Sequence, residues 1–268
     1  MKRKSPVDVF HSYHYPDIHK WAISHQRVLE GKIGLKIKSE EPLTLKIDTG
    51  AKAPAVVLDF DGTITEEDVF DAIFYEFARP EWRKVHRAYL KFEISMEQAY
   101  LQMAEHFRGN PEEVYSFIRR TSRLRRGFRE LLERLKRNRI PLMIVSNGFD
   151  LYLFHLLDHW KIDYSDIEIR CHHAEVKNNR FLPEFNVHKD LKHDRCLIGK
   201  AEILEELKGE GKFTCFAGNG LSDTPAAHYA DLLFARDRLA DYCRQNSIDF
   251  VPFTDFYDLI NYLFGKKE

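Results

Sequence analysis

Four short, nearly continuous apolar runs constrain this chain more than any other feature. Ala55-Val56-Val57-Leu58, Leu142-Met143-Ile144-Val145, Phe213-Thr214-Cys215-Phe216-Ala217 and Leu232-Leu233-Phe234-Ala235 lack the polar alternation of a half-solvated strand. Runs of this kind belong to strands covered on both faces, as in a parallel sheet. Helical stretches at 127–138, 150–160, 200–208 and 224–229 separate or follow them. Strand–helix alternation with right-handed crossovers predicts an α/β fold: an open, mostly parallel, Rossmann-like sheet with helices on both faces.

Three segments depart from that alternation. The stretch 66–125, between the first two strands, reads as several helices. Ser95 with Gln98 makes a capping box, and Asn110-Pro111-Glu112-Glu113 is an N-cap followed by proline and acids in the first turn. This insertion predicts a helical cap over the strand ends. Residues 1–50 read as an appendage of one helix, near 17–30, and a β-hairpin. Its two strands alternate as Ile33-Leu35-Ile37 and Leu43-Leu45-Ile47. Ile167-Glu168-Ile169-Arg170 and Arg180-Phe181-Leu182 flank Lys177-Asn178-Asn179 as a second, weaker hairpin. The expected core is therefore 51–65 with 126–268, and the cap 66–125.

Composition narrows the class. A chain of 268 residues with 44% hydrophobic and 31% charged residues is an ordinary soluble protein. A formal net charge of −1 provides no global attraction to nucleic acid or anionic membrane, and neither is expected as a partner. Cys171, Cys196, Cys215 and Cys243 are irregularly spaced, so reduced thiols and a cytoplasmic location are expected. Met1-Lys2-Arg3-Lys4 imitates the start of a signal peptide, but no apolar core follows it.

Chemistry is expected at the carboxyl end of the first strand, where Asp59-Phe60-Asp61-Gly62-Thr63 follows directly. Strand alternation would put Asp59 and Asp61 on one side. A carboxylate at Asp59 can attack phosphorus, and Asp61 can protonate a leaving alkoxide and then deprotonate water. Thr63 can hydrogen-bond locally. In Ser146-Asn147-Gly148-Phe149, after the second strand, the serine hydroxyl and the peptide N–H groups of Asn147 and Gly148 suit a phosphoryl oxygen at a helix N-terminus.

Val57-Leu58-Asp59-Phe60-Asp61-Gly62-Thr63-Ile64-Thr65 resembles the first motif of the haloacid dehalogenase superfamily, in its phosphatase branch. That resemblance implies three further motifs, the first of them Ile144-Val145-Ser146-Asn147-Gly148-Phe149-Asp150. Lys200, opening a helix, fits the lysine that neutralises the nucleophile, with Lys189 and Lys192 as substitutes. Gly218-Asn219-Gly220-Leu221-Ser222-Asp223 fits the metal-binding loop, and the implied cofactor is Mg2+, held by Asp59, the Asp61 carbonyl, Asn219 and, through water, Asp223. The superfamily has Asp where this chain has Asn219, which implies weaker metal binding. The insertion is similar to the cap of phosphoserine-phosphatase-like members. Ile64-Thr65-Glu66-Glu67-Asp68-Val69 and Phe234-Ala235-Arg236-Asp237 are similar to the 2-hydroxy-3-keto-5-methylthiopentenyl-1-phosphate phosphatase group of methionine salvage. Asp68 stands where phosphoserine phosphatases carry an acid that reads the substrate amine. The implied activity is a phosphomonoesterase on a small phosphorylated metabolite. The alternatives are a phosphoserine phosphatase and a regulatory or binding protein whose metal site has weakened.

Two clusters are set aside. Six arginines between Arg119 and Arg129 read as a solvated helix end rather than an anion entrance. Cys171, His172, His173, His188, His193 and Cys196 read as incidental rather than as a zinc site, since only His193 and Cys196 have finger-like spacing.

Overall fold

The computed structural model describes residues 45–47, 49–193 and 195–265. The helix expected near 17–30 and nearly all of the first hairpin lie outside them. At its end, Ile47 is buried, and Lys46 donates its N–H to the Leu263 carbonyl.

The apolar runs become strands of one seven-stranded sheet. In chain order these are β1 (Ala53–Leu58), β2 (Leu142–Phe149), β3 (Glu168–Lys177), β4 (Arg180–Glu184), β5 (Lys212–Gly218), β6 (Leu232–Ala235) and β7 (Val251–Pro252). Their spatial order is β4-β3-β2-β1-β5-β6-β7. Every neighbouring pair is parallel except β3 with β4, the second hairpin, which is antiparallel. Asn178 and Asn179, both at positive φ (51° and 58°), make its turn, which is why asparagine serves there.

Successive residues of a strand face opposite sides, so a continuous apolar run feeds two cores. Val56 and Leu58 of β1 pack in one core with Ile144, Cys215 and Phe234. Val57 packs in the other with Met143, Val145, Phe216 and Leu233. Helices α5 (Phe128–Arg137), α6 (Asp150–His159) and α9 (Phe256–Phe264) cover the first face. Helices α7 (Lys200–Gly209) and α8 (Asp237–Gln245) cover the second. The expected helix at 224–229 is only a short 3₁₀ turn, Ala226–His228. Pro225 interrupts the segment, and Asp231 pairs with Thr214 immediately afterwards, leaving no room for a full helix.

Between β1 and β2 stand α1 (Val69–Phe77), α2 (Trp82–Leu90), α3 (Met96–Ala104) and α4 (Pro111–Thr121). Ser95 and Asn110 cap α3 and α4 through reciprocal capping boxes. The chain leaves and re-enters the core at one point, where Thr65 and Leu124 form an antiparallel bridge. The inserted helices are fastened to the sheet by aromatic rings. Phe181 of β4 lies 6.0 Å from Phe70, 5.5 Å from Phe74, 5.7 Å from Phe107 and 5.0 Å from Phe149, measured between centroids. A second link is the Arg195 guanidinium, 3.6 Å over the Phe92 ring. Among the described residues, no helix is long and apolar enough to cross a membrane.

Candidate active site

The site is built at the carboxyl end of β1. Asp59 immediately follows the strand, and its N–H is held by the Ala217 carbonyl of β5 at 3.0 Å. Asp59 (φ −69°, ψ 160°) and Asp61 (φ −70°, ψ 119°) both have extended backbone, and the chain turns at Gly62, φ 73°. The charge of Asp59 acts on Asp61 two residues on.

Asp59 is almost wholly enclosed, and Lys200 Nζ donates to its Oδ1 at 2.5 Å. Lys200 opens α7, is completely buried, and donates equally closely to Asp223 Oδ1. Burial works against a charged ammonium, but Asp223 and Asp59 together outweigh it and hold Lys200 charged. Burial pushes the Asp59 carboxyl up to about 7, against the pull of Lys200. The lysine expected from sequence is thus brought to Asp59. Lys189 and Lys192 instead face Glu206 and Glu205 at the surface.

Asn219 reaches Asp59 from the loop after β5. One terminal atom of its amide lies 3.1 Å from Asp59 Oδ2, 2.9 Å from the Asp61 carbonyl and 3.0 Å from Thr63 Oγ1. All three are oxygens that can accept, so the amide group sits there with its nitrogen, donating to them. A Cβ on Gly62 would run into this amide, which is why glycine occupies the turn. Asp59 and the Asp61 carbonyl thus present oxygens to one position, which the Asn219 amide nitrogen now fills. Mg2+ takes oxygen ligands and keeps several waters, so Asn219 could join those two oxygens around it only with its amide turned over. Among the described residues, no three His, Cys, Asp or Glu side chains form a metal cage.

Asp223 closes the loop. Its Oδ2 accepts the N–H groups of Asn219 and Gly220 at 2.9 and 2.8 Å, while Oδ1 takes Lys200. The carboxylate is spent on holding the loop and the lysine, so any effect on a metal passes through them or through water.

The serine motif differs in its local structure from expectation. β2 continues through it to Phe149, and α6 begins at once at Asp150. The pairing with β3 shifts register between Val145 and Phe149, a bulge that turns Ser146 toward the site. Ser146 Oγ accepts the Gly148 N–H at 2.9 Å and lies 3.3 Å from Asp61 Oδ2. The Asn147 side chain ties the motif to the loop before α7: Oδ1 accepts the Ile198 N–H at 3.3 Å, and Nδ2 donates to Cys196 Sγ. The Asn147 side chain and the Gly148 N–H are thus both engaged within the protein.

Asp61 is held on both oxygens, Oδ1 by the Val69 N–H at 3.1 Å and Oδ2 by the Tyr152 hydroxyl at 2.6 Å. Burial first, then the charge of Asp68, pushes its carboxyl well above the usual range. Asp68 caps α1 by accepting the Asp71 N–H at 2.9 Å. Burial, reinforced by Asp71, raises Asp68 to about 7.

Two residues that matter here were not singled out by sequence. Arg125 belongs to the arginine run read as solvated, but it is buried. Its guanidinium donates to the carbonyls of Thr63 (2.7 Å), Gly62 and Thr65 (both 2.8 Å), and reaches Thr254 at 3.2 Å. It therefore fixes the turn that carries Asp59 and Asp61. Tyr152 reads in sequence as one more core aromatic. The residues of the histidine–cysteine cluster are used separately: His173 pairs with Asp150, His188 with Glu206, and His172 Nδ1 accepts the Asn186 N–H.

Known proteins resemble this chain in sequence and in fold. The model of the haloacid dehalogenase-like hydrolase family matches residues 56–228. A 2-hydroxy-3-keto-5-methylthiopentenyl-1-phosphate phosphatase of Bacillus pumilus is 31% identical over 210 residues, 78% of this chain and 90% of that protein. The protein of that name from Bacillus cereus is 30% identical over 212 residues, covering 78% and 94%. Among solved structures, an aspartyl-phosphate analogue of phosphoserine phosphatase superposes with a TM-score of 0.60 at 21% identity, covering 79% of this chain and all but 1% of that one (99%). A hydrolase of the family from Salmonella enterica serovar Typhi gives a TM-score of 0.62 at 15% identity, covering 83% and 75%. With the matched segment running from the Asp59 strand past the Asn219 loop, the chain belongs to the haloacid dehalogenase-like hydrolases, in their phosphatase branch.

Proposed function

We propose that this protein is a magnesium-dependent phosphomonoesterase that passes through an aspartyl phosphate on Asp59. The observation that carries the reading is the buried Asp59 carboxylate, held at 2.5 Å by Lys200 and two residues from a second carboxyl, Asp61. An Asp59 oxygen attacks phosphorus while Lys200 stabilises the charge that spreads over the transferring group. Ser146 Oγ and the N–H groups of the β2 bulge receive a phosphoryl oxygen. Asp61 gives its proton to the leaving oxygen, then takes one from the attacking water. A bound Mg2+ would be held by Asp59, the Asp61 carbonyl and Asn219, and would neutralise phosphoryl charge.

The substrate is a small phosphorylated metabolite. The relatives' name makes 2-hydroxy-3-keto-5-methylthiopentenyl-1-phosphate the first candidate. Phosphoserine is the second, because Asp68 and Asp71 lie close together beside Asp61 with raised carboxyls, where an amine would be welcome. A cytoplasmic site of action fits the four buried, free thiols.

The test is turnover of p-nitrophenyl phosphate with and without Mg2+, in the wild type and in Asp59→Asn. The amide keeps the volume and an acceptor for Lys200, so the fold should hold while turnover disappears. Magnesium-dependent turnover by purified Asp59→Asn would sink the mechanism. A panel of phosphorylated metabolites then ranks the two substrates.

A further inference from the structure

Tyr152 lies in the first turn of α6, is wholly buried, and donates its hydroxyl to Asp61 Oδ2 at 2.6 Å. The same oxygen is 3.3 Å from Ser146 Oγ, while Asp61 Oδ1 accepts the Val69 N–H. These partners differ in kind. A peptide N–H can only donate, so Oδ1 must always accept. A hydroxyl can donate or accept by rotating one bond. A proton carried by Asp61 therefore sits on Oδ2, facing two hydroxyls that match either protonation state without any heavy atom moving. The contact also needs room made for it. A Cβ on Gly148 would overlap both the Tyr152 hydroxyl and Asp61 Oδ2.

We propose that Tyr152 is a positioning residue that holds Asp61 Oδ2 in place through both halves of the reaction. The proposal rests on the reading of Asp59 as nucleophile. In the first half an Asp59 oxygen bonds phosphorus, and the ester P–O bond breaks with its electron pair on the leaving oxygen. That oxygen takes the proton from Asp61 Oδ2, and the carboxylate left behind accepts the Tyr152 hydrogen bond. In the second half a water oxygen bonds phosphorus, and the P–O bond to Asp59 breaks, returning the Asp59 carboxylate. The water proton goes to Asp61 Oδ2, and the Tyr152 hydroxyl rotates to accept. Tyr152 keeps its own proton throughout.

The benefit of a well-held acid grows with the leaving group's need for a proton. Phenyl phosphate and p-nitrophenyl phosphate are nearly the same shape, but nitrophenolate leaves far more easily without one. In Tyr152→Phe, kcat/KM for phenyl phosphate should fall about tenfold, the worth of one hydrogen bond to a charged group, and for p-nitrophenyl phosphate by less than about threefold. A poorly folded fraction would lower both rates alike, so the ratio is insensitive to folding losses. Equal losses on the two esters, or none, would overturn the proposal. Added to Asp61→Asn, Tyr152→Phe should cost less than about twofold further on phenyl phosphate, because it acts only through Asp61. A further tenfold loss there also overturns it. If the wild type with Mg2+ hydrolyses neither ester, the reading of Asp59 fails first and this proposal falls with it.

Discussion

Replacing Asn219 with aspartate should make the metal-free protein less stable and the magnesium-bound protein tighter. The amide now donates to Asp59 Oδ2 at 3.1 Å and to the Asp61 carbonyl at 2.9 Å, so it stands in for a cation between them. A carboxylate there can only accept. Two hydrogen bonds are lost, about 1 kcal/mol each, and two like charges about 3 Å apart repel by about 5 kcal/mol at an effective dielectric near 20. Lys200, 2.5 Å from the other Asp59 oxygen, offsets part of this. Protonation sets a ceiling on the repulsion: Asp59, already raised to about 7, can be held neutral at pH 7 for about 0.4 kcal/mol. A loss of about 2–3 kcal/mol follows, or roughly 4–12 °C in melting temperature for a chain of this size.

Magnesium reverses the sign, because a carboxylate attracts a divalent cation more strongly than an amide oxygen does. The assay is thermal unfolding of wild type and Asn219→Asp in EDTA and across a magnesium titration. The variant should melt lower in EDTA, rise further on adding magnesium, and reach half of that rise at a lower concentration. If the two proteins melt together in EDTA and rise equally with magnesium, Asn219 does not occupy the metal position and the reasoning is refuted.

Arg125→Met leaves the buried carbonyls of Gly62, Thr63 and Thr65 without their donor and should cost at least about 3 kcal/mol in urea unfolding. Arg125→Lys should recover little of it, since one ammonium cannot reproduce the planar fork. A lysine variant within about 1 kcal/mol of wild type would show that the clamp is unimportant. Phe181→Ala removes the ring that touches Phe70, Phe74, Phe107 and Phe149. It should cost about 3–5 kcal/mol and increase proteolysis within 66–125 before the sheet is cut; uniform cleavage would argue against Phe181 as the fastening between insertion and sheet.

Much of the site was legible because its signals are local. The run Ala55-Val56-Val57-Leu58 had to be doubly covered, and the next residue had to emerge at the strand's carboxyl end. Ser95 and Asn110 declared their helices through contacts three residues away. The two asparagines of the second hairpin specified a turn that few other residues tolerate. Where the reading slipped, a local pattern had two outcomes. Ser146-Asn147-Gly148 suits a helix cap as well as a bulged strand, and pairing with β3 chose the strand. An arginine run looks solvated until one member, Arg125, is placed over a turn 60 residues earlier in the chain.

From sequence alone came the doubly wound sheet, the order of its motifs, Asp59 as the strand-end carboxylate, and the substitution at Asn219. The sheet and Asp59 follow from periodicity, turn chemistry and residue type, which act over a few bonds and survive any detail of packing; the motif order and the departure at Asn219 follow from the resemblance to a known family. Only the tertiary structure decided which polar atoms meet. Lys200 crosses 141 residues to reach Asp59, and Tyr152 crosses 91 to reach Asp61. Asp223 is used up by a lysine and two peptide N–H groups, and the Asn219 amide fills the gap between Asp59 and Asp61. Each of these pairings forms because a buried donor or acceptor must find a partner within about 3 Å. Which partner lies that close is set by how the sheet, its loops and the inserted helices pack together.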